Sequence, residues 1–188
     1  MSRFLPTIRR RSILVAAALA LAACGGDDPK PGSIRFALTD AAACGFDQVN
    51  VSVERIRVHR SADAGVNATG WTELRLDPAR RIDLLKLQNG VLEELGRLSL
   101  SASRYAQFRL VLAAVGSSGS PANSVVPTGG VEAELALPAD ASNGMRVLSQ
   151  VTVDADKMTD VLFDFDACRS VVPEGTGAYR LNPVVRIA

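Results

Sequence analysis

From Ser33 onward the apolar positions recur every second residue. Ile34, Phe36 and Leu38 alternate with Ser33, Arg35, Ala37 and Thr39, the pattern of a strand with one buried face. Val49, Val51 and Val53 continue it against Asn50, Ser52 and Glu54, but the next apolar residues are Ile56 and Val58. The phase slips by one there, and a β-bulge or bend near Glu54-Arg55 restores it. Residues 71–76 and 80–87 read as further strands around a turn at Asp77-Pro78, and Asn89-Gly90 is a hairpin-type turn signal. Leu92-Glu93-Glu94-Leu95 fits either a short strand or one helical turn. Residues 105–115 are apolar on both faces except at Gln107 and Arg109, as a central strand requires.

Residues 116–130, rich in Gly, Ser, Pro and Asn, form the longest loop, with local packing expected at Asn123-Ser124-Val125-Val126. Alternation returns at Val131-Ala133-Leu135-Leu137, Val147-Ser149-Val151-Val153, Val161-Phe163-Phe165 and Tyr179-Leu181-Pro183-Val185-Ile187. About nine short strands separated by turn signals predict an all-β fold, an antiparallel β-sandwich over residues 33–188. There is no internal repeat.

The first 32 residues follow different rules. Arg3, Arg9, Arg10 and Arg11 precede an uncharged Ala/Leu-rich run from Ser12 to Ala23, too short for the roughly 20 apolar residues of a bilayer-spanning helix. Residues 1–23 read as an export signal. Leu21-Ala22-Ala23-Cys24 resembles the lipobox of bacterial lipoproteins, in which the Cys thiol takes a diacylglycerol before cleavage; the alternative is an ordinary secretory signal with an incidental Cys. Each buried acyl methylene contributes about 0.8 kcal/mol, so acyl chains on Cys24 hold a protein firmly on a membrane. Residues 24–32 are then the lipidated Cys and a flexible polar tether, and Gly25 after the acylated Cys suits onward sorting to an outer membrane.

Cleavage before Cys24 removes four Arg and no acid, so the 21 Lys and Arg fall to 17 against 20 acids and the mature chain carries −3. That balance excludes nucleic-acid binding driven by bulk basic charge. It also leaves two cysteines, Cys44 and Cys168, in an oxidising compartment. A disulfide between them is the simplest reading, with two buried free thiols as the alternative.

Several segments carry a resemblance. Leu38-Thr39-Asp40-Ala41 with Cys44-Gly45-Phe46-Asp47-Gln48-Val49, then Trp71, Arg81-Ile82-Asp83-Leu84-Leu85 and Asn89-Gly90-Val91-Leu92, resemble the bacterial lipoproteins of domain-of-unknown-function family 4382. Tyr105-Ala106-Gln107-Phe108-Arg109-Leu110, Ser124-Val125-Val126-Pro127 and Asp164-Phe165-Asp166-Ala167-Cys168 extend the match over nearly all of residues 33–188. The resemblance implies an exported, lipid-anchored protein with a transthyretin- or carboxypeptidase-regulatory-like (Ig-like) sandwich, and it carries no established activity. Ser101-Ala102-Ser103-Arg104 departs from the Pro-Ala-Gly that members place before the Tyr, which weakens the expectation of a tight turn there.

Candidate chemistry is sparse. His59 is the only imidazole; with alternation kept it shares a face with Arg55 and Arg57, whose charges disfavour its protonated form and do not activate it as a base. No Gly-x-Ser-x-Gly elbow, HExxH pair or phosphate loop is present, so a periplasmic hydrolase would depend on His59 alone, and the chain is not expected to be an enzyme. Asp40, Asp47, Asp164 and Asp166 form a candidate Ca²⁺ site. A Cys44–Cys168 bond would bring Asp47 and Asp166 together, and Asp164 and Asp166, spaced i, i+2, would share a strand face. The competing reading makes them turn and strand-end caps bonding backbone N–H groups. Trp71 with Tyr105 or Tyr179 could form a sugar-stacking platform, against a core role for Trp71. Arg80 and Arg81 read as solvated strand-end charges, and Asn67-Ala68-Thr69 is uninformative in a bacterial lipoprotein. The expectation is a monomeric, non-catalytic binding or structural module on the cell envelope. Its alternative is a Ca²⁺-stabilised adhesion or glycan/peptide-binding module, the protein or glycan ligand being unspecified.

Overall fold

Two β-sheets pack face to face, and Phe36 is where they meet: its ring stacks on Phe163 at 6.0 Å and meets Phe108 of the opposite sheet edge-on at 6.5 Å. The computed structural model describes residues 30–40, 45–114, 116, 120–175 and 177–188. In chain order the strands are β1 (Pro31–Asp40), β2 (Phe46–His59), β3 (Thr72–Asp83), β4 (Glu93–Ser101), β5 (Ser103–Leu112), β6 (Ser124–Pro127) and β7 (Ala133–Ala136). There follow β8 (Met145–Val153), β9 (Met158–Phe165), a one-turn helix α1 (Ala167–Ser170), β10 (Val171–Glu174), β11 (Ala178–Leu181) and β12 (Val185–Ile187). The smaller sheet runs β12-β9-β1-β4, and the larger β10-β11-β7-β6-β2-β5-β8 with β3 paired to β2.

The all-β sandwich is as the alternation predicts, but the sheets are mixed and not purely antiparallel. β1 pairs parallel with β9 along eight residues, and β7 pairs parallel with β11. A period of two fixes which face of a strand is buried and carries no information on direction. Parallel neighbours need a long crossover, and the intervening chain between β1 and β9 supplies it by building most of the other sheet.

The bulge at Glu54 is present. Val53 faces Leu112 and Arg55 faces Val111, so β2 carries one extra residue, and Val51, Val53, Ile56 and Val58 all stay fully buried on either side of it. The partner β3 is one strand where two were expected. Its ladder with β2 jumps from Arg75 to Arg80, and residues 76–79 leave the ladder around a cis Asp77–Pro78 bond with Leu76 still in the core, Pro78 having no N–H to give the ladder.

Two other expected strands are divided. Residues 84–87 turn into a 3₁₀ helix that buries Leu84 and Leu87, with Asp83 Oδ1 accepting from Leu85 N at 3.3 Å. Residues 179–187 split between the sheets, because Asn182 N and Val184 N bond to the O and Oγ of buried Ser170 at 2.7 and 2.9 Å. The ambiguous run Leu92–Leu95 resolves as strand from Glu93, which opens β4. Asn89 and Gly90 adopt φ of 59° and 81°, the left-handed pair their turn requires. Residues 122–124 pack over β2: Asn123 Oδ1 accepts from Ser52 N at 2.9 Å and its amide donates to Ala113 O at 2.8 Å. The second face of β2, expected to be wet, is therefore covered, and Asn50 and Ser52 are buried.

Candidate functional site

β2 ends at His59, and the strands beside it carry a row of arginines across the outer face of the larger sheet. Arg57 faces Glu73 on β3 and Arg109 on β5, and Arg109 faces Arg146 on β8. Residues directly opposite in antiparallel strands share a face, so this row follows from register. Glu73 holds Arg57 and Arg75, each at 2.7 Å. Arg109 is buried, and that burial, then the like charges of Arg146 and Arg57, push its guanidinium below its ordinary value.

The loop 60–70 folds down onto this row. Trp71 donates its Nε1–H to Gly65 O at 2.9 Å, and its ring lies 4.6 Å from the Arg57 guanidinium, 5.5 Å from that of Arg109 and 5.0 Å from the His59 ring. Arg146 donates to Ala62 O at 2.5 Å, and Arg109 to Asn143 O at 3.0 Å. Gln107 is fully buried beneath the loop; oriented to satisfy its partners, its amide donates to Ala62 O at 2.6 Å and accepts from Arg109 Nε at 2.9 Å.

His59 belongs to the same seal. Its Nδ1 accepts from Ser61 N at 2.9 Å, and its Nε2 lies within hydrogen-bond reach of Thr69 O at 3.0 Å. Both ring nitrogens tie down the ends of one loop, and the ring is placed with Arg57 as the alternation predicts. Trp71 has arginines and His59 as its ring partners. Tyr105 lies in the core with its OH on Ser101 O at 3.0 Å, and Tyr179 meets Phe46 edge-on at 5.9 Å.

The four aspartates are distributed over separate duties. Asp40 Oδ1 accepts from Ala167 N at 2.9 Å, Asp47 Oδ2 from Gly129 N at 3.1 Å, and Asp166 Oδ1 from Arg169 N at 3.0 Å. Asp164 is paired by Arg186, Nη2 to Oδ2 at 2.5 Å. Asp164 and Asp166 line one hollow of about 130 Å³, together with Arg169 and Arg186. They do not share a strand face, because β9 stops at Phe165 and Asp166 is the N-cap of α1. Among the described residues no three His, Cys, Asp or Glu side chains come together as a metal-ligating group. Cys168, within α1, is disulfide-bonded. Cys24 and Cys44 lie outside the described residues.

Arg81 does more than the sequence suggests. It donates to Ser124 Oγ at 2.8 Å and pairs with Glu132 at 2.5 Å, binding β3 to the β6–β7 segment. The Ser124 hydroxyl first, then Arg81, hold the Glu132 carboxyl below its ordinary value. Arg80 pairs with Glu93 at 3.3 Å. These partners stand 13 to 51 residues away, and no local pattern announces them.

No curated protein and no solved structure matches the chain. Residues 31–183 match a family described as a domain of unknown function (DUF4382), from the first residue of β1 to the turn before β12. With most of its length inside that match, the chain belongs to the DUF4382 family.

Proposed function

We propose that this protein is a lipid-anchored component of the cell envelope whose β-sandwich acts as a non-catalytic binding or structural module. The observation that carries the non-catalytic part is His59: the only imidazole in the sequence has both ring nitrogens engaged by the backbone of the loop 60–70. A general base needs a ring nitrogen within reach of a substrate proton, and this ring holds a loop instead. The arginine row is likewise turned to structure, through Glu73, Gln107 and backbone carbonyls.

The anchor rests on the charged n-region, the short apolar run and the lipobox-like Leu21-Ala22-Ala23-Cys24. Gly25 directs the reading to an outer membrane. Export into an oxidising compartment fits a half-cystine at Cys168, and Cys44 is the partner we assign to it. The module works as a monomer whose partners are the membrane, through its lipid, and a protein or glycan.

Metabolic labelling with palmitate tests the anchor. The wild type incorporates label and the Cys24→Ser variant incorporates none. Label retained by that variant would remove the lipoprotein reading.

A further inference from the structure

We propose that the end of the sandwich where β1 begins docks on the lipid surface, with Arg60 and Arg104 as its headgroup contacts. The proposal rests on lipidation of Cys24 and adds an orientation and a surface to it. Seven residues lead from Cys24 to Pro31, a reach of no more than about 25 Å when fully extended. β1 then runs for ten residues, about 33 Å, away from that point. The tether therefore confines the Pro31 end to within about 25 Å of the lipidated residue, while the end bearing Asp40, Asp166 and Cys168 lies a strand length further along the chain.

The strand ladders define what surrounds Pro31. Ser101 faces it on β4, Asp156 N donates to Pro31 O at 3.1 Å, and Ser103 faces Val153 at the start of β5. The charged residues gathered here are Lys30, Arg60, Arg104 and Lys157 against Asp154 and Asp156. Both acids are taken, Asp156 by Lys30 and Asp154 by Lys157, each at 3.4 Å. Arg60 and Arg104 are exposed, and among the described residues no carboxylate pairs with either. Arg60 lies 5.8 Å from the Tyr105 ring, and Arg104 donates to Gln150 Oε1 at 3.4 Å.

Beside Arg60 a hollow of about 410 Å³ is lined by the hydroxyl-bearing Thr72, Ser99 and Ser101. A guanidinium and several hydroxyls suit the acceptor-rich oxygens of a phosphate headgroup. The local excess of cations stands out because the mature chain is net acidic, with 17 Lys and Arg against 20 acids. Attraction to an anionic bilayer would thus act on this end in particular.

The test uses the full lipidated protein in vesicles of phosphatidylethanolamine and phosphatidylglycerol containing a trace of dansyl-phosphatidylethanolamine. Trp71, the single Trp, sits next to His59 at the docking end and serves as energy donor. Efficient transfer is expected from Trp71, and weak transfer when the indole is moved to the far end by Trp71→Phe with Phe46→Trp. Replacing Arg60 and Arg104 by Ser lowers the ratio of docked to undocked protein by about fivefold per arginine while flotation with the vesicles is unchanged. Hydrogen exchange on the unsubstituted protein gives the same answer without relocation of the indole: vesicles protect residues 99–104 and 154–157 and leave 127–130 as in detergent. Equal protection or transfer at both ends, with flotation intact, overturns the docking and leaves the anchor standing. Loss of flotation by the wild type overturns both.

Discussion

The carboxylate of Asp40 accepts a hydrogen bond from the backbone N–H of Ala167 at 2.9 Å, across 127 residues of sequence. It joins the last residue of β1 to the first turn of α1, beside the half-cystine Cys168, at a site where Asp40 is only 5% exposed. A buried N–H that loses its acceptor costs about 1–3 kcal/mol. Asp40→Ala should lower the unfolding free energy by about that amount. Asp40→Asn, which keeps an acceptor oxygen, should lose less. Urea titration at neutral pH measures both, and equal losses for the two variants would contradict the capping role.

The remaining aspartates lead to a prediction about calcium. Asp47 and Asp166 accept backbone N–H groups, and Asp164 is neutralised by Arg186. A cation entering the hollow shared by Asp164 and Asp166 would have to displace a guanidinium already there. Melting of the wild type should accordingly be the same in millimolar Ca²⁺ and in chelator. A rise with calcium that Asp164→Asn abolishes would support the metal reading instead.

Much of the fold was legible because burial on one face imposes a period of two. Ile34, Phe36 and Leu38 are fully buried as their alternation demands, and the slip between Val53 and Ile56 places the bulge at Glu54. Direction and partner are different matters. The parallel pairing of β1 with β9 leaves no trace in either strand, and the 3₁₀ turn at Leu84–Leu87 hides in a run that also fits a strand. The same limit applies to the sites. Residue type marks His59, Trp71 and the aspartates as worth attention. Whether a carboxylate meets a metal, an arginine or a backbone N–H depends on contacts such as Asp40 to Ala167, which only tertiary structure provides.

Trp71 and His59 should behave as parts of one latch. Trp71→Phe keeps a ring near Arg57 and deletes only the Nε1–H bond to Gly65, an expected loss of about 1 kcal/mol. His59→Ala releases both Ser61 and Thr69. In each variant the amides of residues 61–70 should exchange faster while those of β1 and β9 keep their protection. Uniform loss of protection over the whole chain would show that the loop is not a separable unit.

Glu132 sets an expected dependence on pH. The Ser124 hydroxyl and Arg81 favour its charged form and hold its carboxyl below the ordinary value. A depressed value in the folded state gives a stabilisation that is present above the unfolded value and lost as pH falls through the folded one. The difference in stability between wild type and Glu132→Gln should therefore be present at neutral pH and close on acidification. Ser124→Ala should raise the Glu132 titration midpoint, read from its side-chain carboxyl resonance by NMR. A midpoint that does not move would contradict the assigned cause.

The most direct test is mass spectrometry of the N-terminal peptide from protein purified out of the envelope of its producing cell. The mature chain is expected to begin at Cys24 and to carry acyl chains on that residue. A chain that keeps residues 1–23, or one cleaved elsewhere with an unmodified Cys24, would contradict the lipid anchor and the membrane docking built on it.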